Sequence, residues 1–150
     1  MKLITPPVGP VVSLADLKAH LRVDHSDEDA LITSLEAGAV AYLDGWGGIL
    51  GRCIMAQTWA FDATQGDVKS PMPNVTAAMQ AGAAITVADD VLTVPDDGEV
   101  QITCAMPARY LPTVQMIVKL IVSHWFDNRA AGPIPASADA LIGAIRWGRV

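Results

Sequence analysis

Apolar residues recur at helical spacing in two stretches near the start of the chain. After Ser13, Leu14, Leu17 and Leu21 share one face, and after Ser26, Leu31, Ile32, Leu35, Ala39, Tyr42 and Leu43 recur three and four residues apart. Both stretches read as amphipathic helices. Each opens with S-x-x-D, Ser13 with Asp16 and Ser26 with Asp29, which resembles a capping box with Asp in the usual Glu place. These four residues are therefore assigned as helix caps. The second helix is expected to stop at D-G-W-G-G, where Gly45 can take the left-handed conformation that follows a helix end.

The period then changes. Residues 53–61 (CIMAQTWAF) read as extended, and the β-branched runs AITV, VLTV and VQITCAM are separated by the turn residues ADD and PDDGE. Together they predict a short antiparallel meander. Gly and Pro punctuate the connection TQGDVKSPMPNVTAAMQAG, which reads as ordered but mostly irregular, with a helical turn at 75–80. Helical spacing returns at Pro112, which suits a first turn, and Val114, Ile117, Val118, Leu120, Ile121, His124 and Trp125 are too apolar all round for a surface helix. A helix over 112–128 is thus expected at the centre of the fold. The prolines of NRAAGPIPA end it, and Leu141, Ile142 and Ile145 predict a short last helix. The fold class is α+β and mainly helical: about four helices around one central apolar helix, with a small antiparallel β-meander inserted between the second and third.

Composition narrows the function. A chain of 150 residues suits one domain with one core. The N-terminal MKLITPPVGP meets prolines before an apolar run develops, so it does not read as a signal peptide, and VQMIVKLIV is too short to span a bilayer. Assembly in the cytoplasm is the expectation. The formal charge of −6 is unevenly spread: residues 1–100 carry five basic and fourteen acidic side chains, residues 101–150 five basic and two acidic ones. An acidic chain with no basic stripe argues against gripping nucleic acid phosphates. A helix-turn-helix reading of the first two helices fails for the same reason, because the second opens on acids and holds no Lys or Arg to Leu43.

Candidate chemistry is sparse. Tested as a calcium loop, Asp24 to Asp29 puts Asp29 where the turn glycine is required and Leu35 where the bidentate glutamate belongs. Acids in a first helical turn need no ion, since the helix dipole favours them. Cys53 and Cys104 match no metal spacing and read as two separate buried thiols. His20, His25 and His124 lie on different predicted elements, and His124 reads as a core or interface histidine. No nucleophile elbow, phosphate loop or zinc-protease motif occurs, so the chain is expected to have no catalytic, cofactor-binding or metal site and to be no enzyme.

The order of these signals resembles the phage head-tail connector (adaptor, or head-completion) proteins, including those of prophages and gene transfer agents. Residues 14–59 carry a short helix ending in L-R-V-D, an acidic cap, a longer helix and an extended Q-T-W. Residues 111–146 carry a proline-initiated apolar helix, W-x-x-N-R and a final P-x-x-x-x-x-L-I helix. Together these cover more than half of the chain, while SPMPNVTAAMQAGAAITV matches the family's strand region only loosely. The resemblance implies a non-enzymatic ring of copies of the chain, usually twelve, between portal and tail in a virion or phage-like particle. The portal protein and a downstream head-completion or tail protein would be its partners, and DNA would pass through the lumen without sequence-specific binding. Residues 1–150 would form one head-tail connector domain, with 1–12 an extended N-terminal arm and 132–150 a C-terminal portal-docking segment. Ile145, Arg146, Trp147, Arg149 and Val150 would contact the portal, because Trp and Arg beside an apolar stripe have the makeup of an interface anchor. Trp125, Asn128 and Arg129 would be structural or inter-subunit residues. The alternatives are a DNA-packaging or DNA-binding accessory protein and a small cytoplasmic enzyme.

Overall fold

The computed structural model describes residues 1–148. In chain order the elements are β1 (Lys2–Thr5), α1 (Leu14–Leu21), α2 (Asp29–Leu43), β2 (Gln57–Ala63), β3 (Gly66–Lys69), β4 (Val75–Gln80), β5 (Ala83–Ala84), β6 (Thr86–Ala88), β7 (Val91–Val94), β8 (Gly98–Cys104), α3 (Leu111–Asn128) and α4 (Ala136–Ile145). The strands form two antiparallel sheets, one of five strands in the order β1-β2-β8-β4-β5 and one of three in the order β3-β7-β6. No described helix is long and apolar enough to cross a membrane.

The α+β class holds, but the expectation of a mainly helical chain built on one central helix does not. The physical reason is that the apolar residues collect in two places. Leu17, Ile32, Leu43, Ile117, Ile121 and Ile142 pack among the helices, whereas Met72, Leu92, Val94, Val100 and Ile102 pack among the strands. Each such buried side chain contributes about 1.5–3 kcal/mol relative to exposure, so both clusters are needed to hold the chain together.

The two serines that match the cap spacing behave differently. Ser13 caps α1: its Oγ accepts from the Asp16 N–H at 3.1 Å, while its hydroxyl donates to the Asp16 carboxylate at 2.8 Å. Ser26 does not cap α2. That helix starts at Asp29 with Glu28 in the cap position and no side-chain cap, and Ser26 only offers its carbonyl to the Asp29 N–H in the preceding turn. Two of the acids there, Glu28 and Asp29, are held by Arg129 and Lys18 instead. At the far end Gly45 is left-handed (φ 73°), as its place after the helix suggests.

Residues 2–5 of the N-terminal arm are extended and pair as the edge strand β1 with β2, while Val11 and Val12 are buried beyond it. Two further expectations are corrected. Residues 75–80 are no helical turn but β4, because β8 has a second open edge and its pairing with β4 outweighs the helical preference of the alanines. Residues 66–69, expected to be irregular, form β3 against β7. The turn acid Asp90 ties the two sheets together, its carboxylate accepting from the Asn74 and Val75 N–H groups at 3.1 and 2.8 Å.

Candidate interaction surface

The best-built polar feature joins the end of α2 to the start of β2. The carboxylate of Asp44 accepts from the Ile54 N–H at 2.7 Å and from Gln57 Nε2 at 2.8 Å, and Gln57 Oε1 accepts from the Trp59 indole N–H at 3.0 Å. Gln57 is only 3 % exposed, so the Q-T-W signal is a buried hydrogen-bonded strut. Burial pushes the Asp44 carboxyl above its ordinary value, against the N–H groups of Ile54, Gln57 and Gly45, which lower it. A Cβ on Gly45 would stand 3.0 Å from the Trp59 ring, so the glycine serves both its own backbone and the indole's approach.

Beside this strut lies an open, mainly apolar groove of about 620 Å³, walled by Leu3, Pro7, Pro10, Ala37, Val40 and Trp59. Glu36 reaches its lining from the buried stripe of α2, where its Oε1 accepts from the Val11 and Val12 N–H groups at 2.9 and 3.3 Å. Glu36 thereby fixes the chain segment that forms one wall. Tyr42, expected on the buried face, is exposed, and it borders a second groove of about 740 Å³ with Ile49, Arg146 and Trp147. The first of these, an apolar concavity, suits contact with another protein, while the second is of mixed character.

The portal-docking residues fare unevenly. Ile145 is a core residue packed with the helices and is unavailable as a surface anchor, because α4 folds back on the body through Ala138, Ile142 and Ile145. Arg146 is exposed and Trp147 half-buried, with the Trp147 N–H donating to the Leu50 carbonyl at 2.9 Å. Gly51 (φ 65°) makes that approach possible, since a Cβ there would lie 2.9 Å from the Trp147 carbonyl. Arg149 and Val150 lie outside the described residues.

Trp125, Asn128 and Arg129 all engage their own chain. The Trp125 indole N–H donates to the Gly132 carbonyl at 2.9 Å, Asn128 Nδ2 donates to the His124 carbonyl at 2.7 Å, and Arg129, left-handed at φ 53°, pairs with Glu28. Lys18 pairs with Asp29 at 2.7 Å. The acidic turn is thus the place where α1 and the end of α3 are tied to the start of α2. His124, His20 and His25 are exposed, so His124 is no core residue. Among the described residues, no group of three His, Cys, Asp or Glu is placed to hold a metal ion.

Sequence reasoning missed several of these partnerships. Glu36 was legible, since Ile32, Glu36, Ala39 and Leu43 fall four, three and four residues apart on one stripe. Asp44 with Gln57 carried no local signal. Cys53 and Cys104 are both free and buried, as expected; Cys53 donates its thiol to Met72 Sδ at 4.0 Å, and the neighbouring Cys104 together with burial raises the Cys53 thiol far above its ordinary value.

The arrangement defines a class: an α+β chain whose conspicuous features are an apolar groove, a second groove of mixed polarity and structural polar struts. No protein-family model matches the chain, and no curated protein matches it. Among solved structures, it is similar to a chain from the neck of an empty GTA (gene transfer agent) particle computed with C6 symmetry, at a TM-score of 0.65 and 18% identity, over 100% of this chain and 97% of that one. The likeness extends from end to end and establishes a shared fold.

Proposed function

We propose that the chain is a structural head-tail connector of a tailed phage or phage-like particle, forming a ring between portal and tail through which DNA passes. The observation that carries the reading is the end-to-end fold likeness to a particle-neck chain. The C6 symmetry stated for that particle is compatible with the ring of twelve implied by the sequence resemblance. The charge supports a conduit: with Asp and Glu outnumbering Lys and Arg by 16 to 10, the surface repels a sliding duplex more than it holds one. The exposed Arg146 and the half-buried Trp147 beside the Tyr42 groove are the residues offered to the portal, and the chain acts without catalysis, cofactor or metal.

The test is genetic and microscopic. Deleting the gene from its phage or prophage should leave DNA-filled or emptied heads without attached tails, counted by electron microscopy and restored by supplying the protein in trans. Normal tailed particles from the deletion strain would overturn the reading.

A further inference from the structure

Two charged clusters lie at opposite ends of β8, and neither is neutralised within the described chain. At one end, Arg52 and Arg109 both stand over the ring of Tyr110, their guanidinium carbons 5.3 and 4.8 Å from its centroid. Arg109 Nη2 donates to the Tyr110 hydroxyl at 3.3 Å, and Arg52 Nε is buried with no acceptor. No described carboxylate pairs with either arginine, although Lys18 and Arg129 both have acidic partners. Two adjacent guanidiniums on one aromatic ring in an acidic chain form a preorganised fork for carboxylate oxygens.

At the other end, Asp62 and Glu99 face each other directly in the β2–β8 register. Like charges placed directly opposite across an antiparallel pair are destabilising. Both side chains are exposed and make no hydrogen bond or ion pair among the described residues. Lys2 lines the same concavity without pairing with either one, and Lys69 is the single cation in residues 57–104. Glu99 lies five positions before Cys104, about 17 Å at about 3.4 Å per residue, and just beyond that end of β8 the Met106 N–H donates to the carbonyl of Cys53, the residue after Arg52, at 2.8 Å, so the two clusters sit at opposite ends of the strand.

We infer that Arg52 and Arg109 of one copy receive Asp62 and Glu99 of a second copy of this chain, a head-to-tail contact that matches two cations with two anions. The charges are complementary and cannot meet within one chain, so the contact is heterologous and repeats around a ring or along a filament. This deepens the connector reading and rests on it for the ring, while the contact itself is tested on purified protein.

Light scattering after size-exclusion chromatography should show self-association of the wild-type protein that weakens as salt rises to about 1 M, where the Debye length falls from about 10 Å at 0.1 M to about 3 Å. The Arg52→Glu/Arg109→Glu and Asp62→Lys/Glu99→Lys proteins should each raise the apparent dissociation constant roughly tenfold or more, with unchanged circular dichroism. Mixing the two variants should restore association, because each then supplies the cluster the other needs. Should Arg52→Glu/Arg109→Glu misfold, Arg109→Glu alone, at an exposed position, carries the same test. Association of both variants at the wild-type level would overturn this contact while leaving the ring reading intact. A wild-type protein that stays monomeric would also overturn it, and the gene-deletion experiment would then decide the ring reading separately. If the arginine variant instead loses binding to a short DNA duplex with no change in self-association, the fork serves phosphate and the contact is wrong.

Discussion

Replacing Asp44 by Asn is nearly isosteric but converts one acceptor into a donor at the centre of the strut. If the new amide keeps its oxygen on the Ile54 N–H, its nitrogen faces Gln57 Nε2, donor against donor. Flipping the Gln57 amide repairs that clash and creates the same one against the Trp59 indole N–H. One buried donor is thus stranded in either arrangement, at a cost of about 1–3 kcal/mol. Removing the charge relieves some desolvation, yet the three N–H groups that lower the Asp44 carboxyl already offset part of that burial, so the hydrogen-bond loss should win. A net loss of about 2 kcal/mol corresponds to a fall in Tm of roughly 4–8 °C for a chain of this size. Gln57→Glu alone should be worse, because it sets a second carboxylate against Asp44. The Asp44→Asn/Gln57→Glu protein reverses the polarity of the chain of bonds, since the introduced carboxylate can accept both from the introduced amide and from the Trp59 indole. Urea titrations followed by tryptophan fluorescence should therefore give a favourable coupling of about 1–3 kcal/mol in the double-mutant cycle. Additivity within about 0.5 kcal/mol would refute the reasoning.

The same carboxyl sets a pH dependence. Because its folded value is raised above 3.8, the folded state binds the proton more tightly, so this contribution to stability is fully present below pH 3.8 and is lost as pH rises through the folded value. Urea midpoints across that window should fall less steeply for Asp44→Asn than for wild type, and parallel curves would count against it. Ser13→Ala should cost about 1 kcal/mol in denaturant unfolding, whereas Ser26→Ala should stay within about 0.5 kcal/mol, because only Ser13 caps a helix. Equal losses would contradict the observed caps. Ile142→Ala should destabilise the protein by about 2–5 kcal/mol through the cavity left between α4 and the helical core. A melting temperature unchanged by that substitution would mean that α4 does not pack on the core in solution.

The sequence by itself determined the elements whose signals are local. Four helices follow from apolar residues three and four apart, the Ser13 cap from a hydroxyl within reach of the first free N–H groups, and the Gly45 stop from the left-handed geometry of a helix end. The strands at 57–63, 91–94 and 98–104 were legible because β-branched and aromatic residues sit between turn residues. Tertiary structure decided the rest, because pairing partners distant in sequence leave no local trace. Residues 75–80 became β4 only because β8 had an open edge, and residues 2–5 became β1 only because β2 did. Ser26 matched the spacing of a cap, but Lys18 and Arg129 took the neighbouring acids and the helix began at Asp29. Ile145 looked like a surface anchor until α4 turned its apolar stripe onto α3. The candidate surface was least legible of all: Asp44 with Gln57, Cys53 with Met72 and Arg52 with Arg109 across the Tyr110 ring are each joined by chain folding over a separation that no periodicity encodes.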